Sequence, residues 1–209
     1  DGDSFSHKIE GIEDLNKDGF PNYIDRDADG NSIDDKLESG DFNNPNNFDD
    51  DLYIDHLDLD DDGDLILDTF DTQRLKKAQT VKRTGPDSLL VRWVYNVNFE
   101  GQSIRDFIRV GDKVEFEVDG LPSDANNLVF IFQYADDLIN LEPTIARVEE
   151  NKTYFSVELP SKVGEANVYL AHDEVITDAL FIEVNDSKTP LLKDDNRNIS
   201  AEETITLVG

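Results

Sequence analysis

Apolar residues follow two different rules on either side of about residue 72. Before it, Ile, Leu, Phe and Tyr stand singly among Asp, Asn and Gly. They keep neither the spacing of an amphipathic helix nor the alternation of a strand. After Leu89 alternation begins: Val91, Trp93, Tyr95 and Val97 are interleaved with Arg92, Val94 and Asn96. Val114, Phe116 and Val118 alternate with Lys113, Glu115 and Glu117, which predicts a strand with one wet face. The run 128–132 is apolar throughout, as a central strand buried on both faces would be. Shorter strands are predicted near 144–148, 154–159, 166–170 and 180–184, with turn residues such as Asp119-Gly120 and Pro122-Ser123-Asp124 between them.

Many short strands with no helical pattern between them predict an antiparallel β-sandwich of immunoglobulin-like type over 89–185. The chain has no cysteine, so the antibody-type disulfide is excluded, as are thiolate zinc sites. Residues 72–88 read as a polar linker with part of a short helix. The cationic cluster within 73–83 either sits against the acidic segment or keeps the linker soluble. Residues 186–209 read as a further linker ending in a strand at 204–208, or as the start of another domain.

The acidic segment is periodic at a longer scale. Residues 14–38 recur as 47–71, in phase, 33 positions on. Each copy divides into two loops carrying oxygen-bearing residues at relative positions 1, 3, 5, 7, 9 and 12. A hard cation such as Ca2+ takes about six to eight oxygens from a loop of this kind. The first loop, 14–25, offers Asp14, Asn16, Asp18, the Phe20 carbonyl, Asn22 and Asp25. The second, 27–38, offers Asp27, Asp29, Asn31, Asp35 and Glu38. The third, 47–58, offers Asn47, Asp49, Asp51, the Tyr53 carbonyl, Asp55 and Asp58. The fourth, 60–71, offers Asp60, Asp62, Asp64, Asp68 and Asp71. Residues 1–10 match 29–38, so Asp1, Asp3 and Glu10 read as half of an earlier loop, with His7 where an acid is expected. The chain then reads as a fragment that starts inside a repeat.

Charge sharpens this reading. The chain carries a formal −29, and residues 1–75 hold 24 of its 48 acids but only 5 of its 19 Lys/Arg. Such a surface repels nucleic acid and itself, so it folds only if cations neutralise it. No stretch approaches the roughly 18 consecutive apolar residues of a membrane span.

The loop residues closely resemble thrombospondin type 3 repeats in the cysteine-free bacterial form, over about 1–71. That resemblance implies a chain wound around a row of calcium ions, with Asp25 and Asp58 each shared by neighbouring loops. Position 6, usually glycine in that family, is Gly19 in the first loop but Ser32, Leu52 and Leu65 in the others. Leucine disfavours a left-handed turn, so the third and fourth loops are expected to be altered. A paired EF-hand or dockerin needs a helix after position 12, where here another acidic loop follows; solvated acidic disorder is the bland alternative. Residues 110–121, 157–161 and 179–184 are similar to immunoglobulin-like domains of the transcription-factor and plexin type.

The expected fold is therefore mostly β with a large irregular segment, calcium-stapled loops preceding a sandwich. The expected role is a non-enzymatic, extracellular or cell-surface spacer, adhesin or structural module. Its partners would be calcium ions and a surface protein or glycan, or copies of itself. A surface-layer or filament subunit and an accessory module of a polysaccharide-active enzyme are the alternatives. His7, His56 and His172 are scattered, and no nucleophile triad or phosphate loop occurs, so no catalytic residue is assigned.

Overall fold

Alternate-residue carboxylates cannot line one face of a helix, and the acidic third accordingly forms loops joined by single turns. A computed structural model describes residues 7–41, 43–81, 90–96, 104–105, 108–150, 152–173 and 175–186. Asp1, Asp3, the side chain of Trp93 and the predicted strand at 204–208 lie outside the described residues. In the acidic third the regular elements are α1 (His7–Glu10), α2 (Asp35–Glu38), two one-turn 3-10 segments (Asn22–Ile24 and Asp55–Leu57) and the pair β1 (Gly40–Asp41) and β2 (Asn44–Pro45). The Asp34 side chain accepts from the Lys36 amide and so caps α2. Its counterpart one repeat on, Leu67, has no such acceptor, and turns stand there instead.

The remainder is mostly β. Its strands are β3 (Gln79–Val81), β4 (Leu90–Asn96), β5 (Ile104–Arg105), β6 (Ile108–Arg109), β7 (Lys113–Asp119), β8 (Val129–Gln133) and β9 (Leu138–Leu141). They continue with β10 (Thr144–Glu149), β11 (Lys152–Glu158), β12 (Gly164–His172), β13 (Val175–Thr177) and β14 (Leu180–Asn185). One sheet runs β10-β11-β7-β4-β5. The other has β12 at its centre, with β8 and then β9 on one side and β14 and β13 on the other. The two sheets share one apolar core: Phe116 of β7 stacks on Phe130 of β8 with centroids 4.7 Å apart, and Val114, Phe155, Val168, Leu170, Ile182 and Val184 close around them.

Three features depart from the alternation pattern. The sheets are not purely antiparallel, because β3 joins β13 and β6 joins β14 in parallel. Thus residues 79–81, within the connector expected to be a linker, are a sheet strand, and the described part of that connector holds turns in place of a helix. On β7 the face expected to be wet is covered at Glu117, which is buried. Lys152 Nζ lies 2.5 Å from its Oε1 and the Tyr154 hydroxyl donates to its Oε2 at 3.2 Å.

The run 128–132 is buried on both sides, as expected, and the second covering layer is the acidic segment itself. Phe130 and Phe132 face the core between the sheets, whereas Val129 and Ile131 pack with Ala171 and Ile176 against Ile66 of the fourth loop. Among the described residues no helix is long and apolar enough to cross a membrane.

Candidate metal centre

The four loops repeat one set of hydrogen bonds. The position 3 side chain accepts from the position 5 amide: Asn16 from Asp18, Asp29 from Asn31, Asp49 from Asp51 and Asp62 from Asp64, at 2.9 to 3.2 Å. The position 5 side chain accepts from position 7: Asp18 from Phe20, Asn31 from Ile33, Asp51 from Tyr53 and Asp64 from Ile66, at 2.6 to 2.8 Å. Asn and Asp make this contact with the backbone two residues on at little conformational cost, so alternate-residue acids curl the chain around themselves. Position 9 closes each loop by accepting from position 2: Asn22 from Leu15, Asp35 from Ala28, Asp55 from Phe48 and Asp68 from Asp61.

The left-handed turn sits at position 4 in every loop, at Lys17, Gly30, Asp50 and Gly63, with φ between 61 and 83°. Glycine recurs in the second and fourth loops because position 3 of the preceding loop packs there. A Cβ on Gly30 would lie 2.9 Å from Asn16 Cβ, and one on Gly63 would lie 2.6 Å from Asp49 Oδ2. Position 6 is left-handed at Gly19, Ser32 and Leu65, each donating its amide to position 1 (Asp14, Asp27 and Asp60). Leu65 thus keeps the turn, at φ 81°, and bears the strain that leucine has there. Leu52 avoids positive φ, so the third loop alone lacks this turn.

These bonds leave other oxygens facing inward. One carboxylate oxygen from each of Asp49, Asp51 and Asp58 lies within 4.8 Å of the others, as positions 3, 5 and 12 of one loop should. Asp60, Asp62 and Asp64 converge likewise. Asp14 Oδ1 and Asn47 Oδ1, both at position 1, are enclosed without a hydrogen-bond partner, as are Asp55 Oδ2 and Asp62 Oδ2. A third group, Glu38, Asp61 and Asp68, joins the two copies.

Not every predicted ligand joins such a group. Asn22 turns its amide onto the Glu10 carbonyl at 3.2 Å and its oxygen accepts from the Leu15 amide; Phe20 and Tyr53, whose carbonyls are the predicted ligands, leave their side chains exposed. Glu10 is buried. Asp71 accepts from the Gln73 amide. Asp25 accepts from the amides of Arg26 and Asp27, and Asp27 also accepts from Ser32. The alternate-residue pattern passes over Asp61, whose counterpart in the first copy is Ala28. It also leaves Arg74 undecided. Arg74 pairs with Asp61, lies 3.8 Å from Glu38 and donates to the Leu37 carbonyl.

Burial makes these acids hard to ionise. Desolvation, the largest cause in each case, pushes Glu38 up to about 9 and Asp29 and Asp61 to about 8. It pushes Asp62 and Asp68 to about 7 and Asp60 to about 6, with Asp55, Asp58 and Asp71 raised in the same direction. The donors are all oxygens, several without a partner, in a segment rich in like charge. That set fits a hard cation such as Ca2+, which would supply the missing positive charge.

No family model matches this chain, and no curated protein matches it. The geometry of the loops themselves is what bears on their role.

Proposed function

We propose that the acidic segment is a calcium-binding stalk, whose ions supply the folding energy that burial of its carboxylates withdraws. Together with the two-sheet domain it forms a non-enzymatic spacer, adhesin or structural module of a secreted or cell-surface protein. One observation carries this reading. Positions 3, 5 and 12 of the third loop, chosen by spacing alone, bring Asp49, Asp51 and Asp58 within 4.8 Å of one another, while enclosed oxygens at position 1 lack a donor. Backbone amides alone would have satisfied a purely structural loop.

On this reading the loops are thrombospondin type 3-like, and the two-sheet domain is an immunoglobulin-like sandwich. Loops needing several Ca2+ ions suit a medium with about millimolar calcium, which supports an extracellular location. Calcium titration of the chelated chain, followed by circular dichroism and calorimetry, tests the proposal. Ordering of the acidic segment with uptake of two or more ions is expected. Fewer ions, or a spectrum indifferent to calcium, would sink it.

The surface-layer or filament reading draws on one further observation: β10 is an edge strand whose residues are all exposed, Ile145 and Val148 among them. Such an edge can accept a strand from another copy. Electron microscopy of concentrated chain in calcium distinguishes the readings, since a spacer leaves only monomers.

A further inference from the structure

We infer that Glu38 of the first copy, with Asp61 and Asp68 of the second, forms a cation site between the copies that takes one divalent, oxygen-seeking ion beside the Arg74 guanidinium. The inference rests on the calcium reading and adds a site that the loop phase does not contain, since Asp61 stands between the ligand positions. One carboxylate oxygen from each residue lies within 4.8 Å of the others. Glu38 and Asp61 are each 1% exposed, yet Glu38 Oε2 and Asp61 Oδ1 meet no hydrogen-bond donor.

Their other oxygens are occupied. Arg74 Nη1 pairs with Asp61 Oδ2 and lies 3.8 Å from Glu38 Oε1, which also accepts from Asn31 Nδ2 at 2.8 Å. Asp68 Oδ1 accepts from the Asp61 amide, and its Oδ2 has only a 3.4 Å contact with Asn31 Nδ2. Once ionised, three carboxylates against one guanidinium leave two negative charges over, and a divalent cation matches that excess. The oxygen-only donor set selects a hard ion. Glu38 and Asp68 also stand at positions 12 and 9 of the second and fourth loops, so the site borrows one oxygen from each.

In the first copy the place of Asp61 is taken by Ala28, which is fully buried, so among the described residues this site forms once. It joins the two copies, and the same ion would set their mutual stiffness.

Native mass spectrometry and calorimetric titration with Ca2+ on the full chain test the site. Asp61→Asn should bind one ion fewer than wild type, with the remaining affinities changed less than about threefold. Asp51→Asn, a third-loop control, should retain the inter-copy ion. Arg74→Gln keeps every carboxylate and removes the competing cation, so it should tighten one ion about tenfold, a readout that does not depend on Asp61→Asn folding. Equal ion counts for wild type and Asp61→Asn, or Arg74→Gln failing to tighten any ion, overturns this inference while the loop reading stands. A wild-type chain that takes up no calcium overturns both.

Discussion

The Asn140 side chain on β9 donates to the backbone carbonyl of Leu65 at 3.2 Å, fastening the last acidic loop to the sheet. Beside this bond Ile66 is buried against Val129, Ile131, Ala171 and Ile176. Asp60 and Asp64 accept from the amides of Leu65 and Ile66, and Asp64 also accepts from Ala78 just before β3. The candidate ligands of the fourth loop are thus bonded directly to the residues that dock on the two-sheet domain.

Ile66→Ala should destabilise the calcium-loaded chain by about 2–5 kcal/mol, since it opens a cavity in a closed apolar cluster. Asn140→Ala should cost about 1 kcal/mol, the worth of one hydrogen bond. Denaturant unfolding in calcium measures both. If Ile66→Ala is silent, the loop does not dock where described.

The glycine at position 4 supplies a second contrast. Gly63→Ala places a Cβ 2.6 Å from Asp49 Oδ2 at φ 69°, so it should weaken calcium binding by both loops that meet there. Gly19→Ala, at φ 103° with nothing within 4 Å, has only backbone strain to bear and should weaken binding less. The order of the two affinities, read by titration, checks the packing at Gly63.

Stability should fall with rising pH without calcium but not with it. The folded pKa values of Asp29, Glu38, Asp61, Asp62 and Asp68, about 7 to 9, lie above their unfolded values of 3.8 or 4.5. In chelator any segment that stays folded therefore holds more protons than the unfolded chain, so its order is greatest at low pH and is lost as pH rises from about 4 to about 9, leaving it unfolded near neutral pH until calcium is added. Calcium competes with those protons, so in excess calcium the melting temperature should hold or rise over the same window. Melting curves across pH decide it; a chelated chain that gains stability toward pH 9 contradicts the burial of these acids.

Within the two-sheet domain Glu117 offers a calcium-independent control. Tyr154→Phe removes the hydroxyl that donates to this buried carboxylate and should cost about 1.5–3 kcal/mol. The loss should be the same in calcium and in chelator. Unequal losses would tie β11 to the ions, contrary to this expectation.

Much of the site is legible in the sequence because it is local. A side chain that bonds the amide two residues on leaves a mark at that spacing, and the spacing alone groups Asp49, Asp51 and Asp58. The same spacing assigns the left-handed turn to position 6 only, since Lys17 and Asp50 hide it at position 4 where Gly30 and Gly63 reveal it. Strands β5, β6, β9 and β13 are too short to show a period, and their pairing depends on longer neighbours.

By itself the sequence determined the 33-residue phase, the division into four loops, the larger strands and the concentration of negative charge. These follow from contacts between residues a few positions apart, which any copy of the pattern would make. Only the tertiary structure decided that Asp61 meets Glu38, that Arg74 joins them, and that the outer face of β8 is covered by Ile66. Such partners lie far apart in the chain, and their meeting depends on how whole copies and sheets pack. No local spacing encodes that.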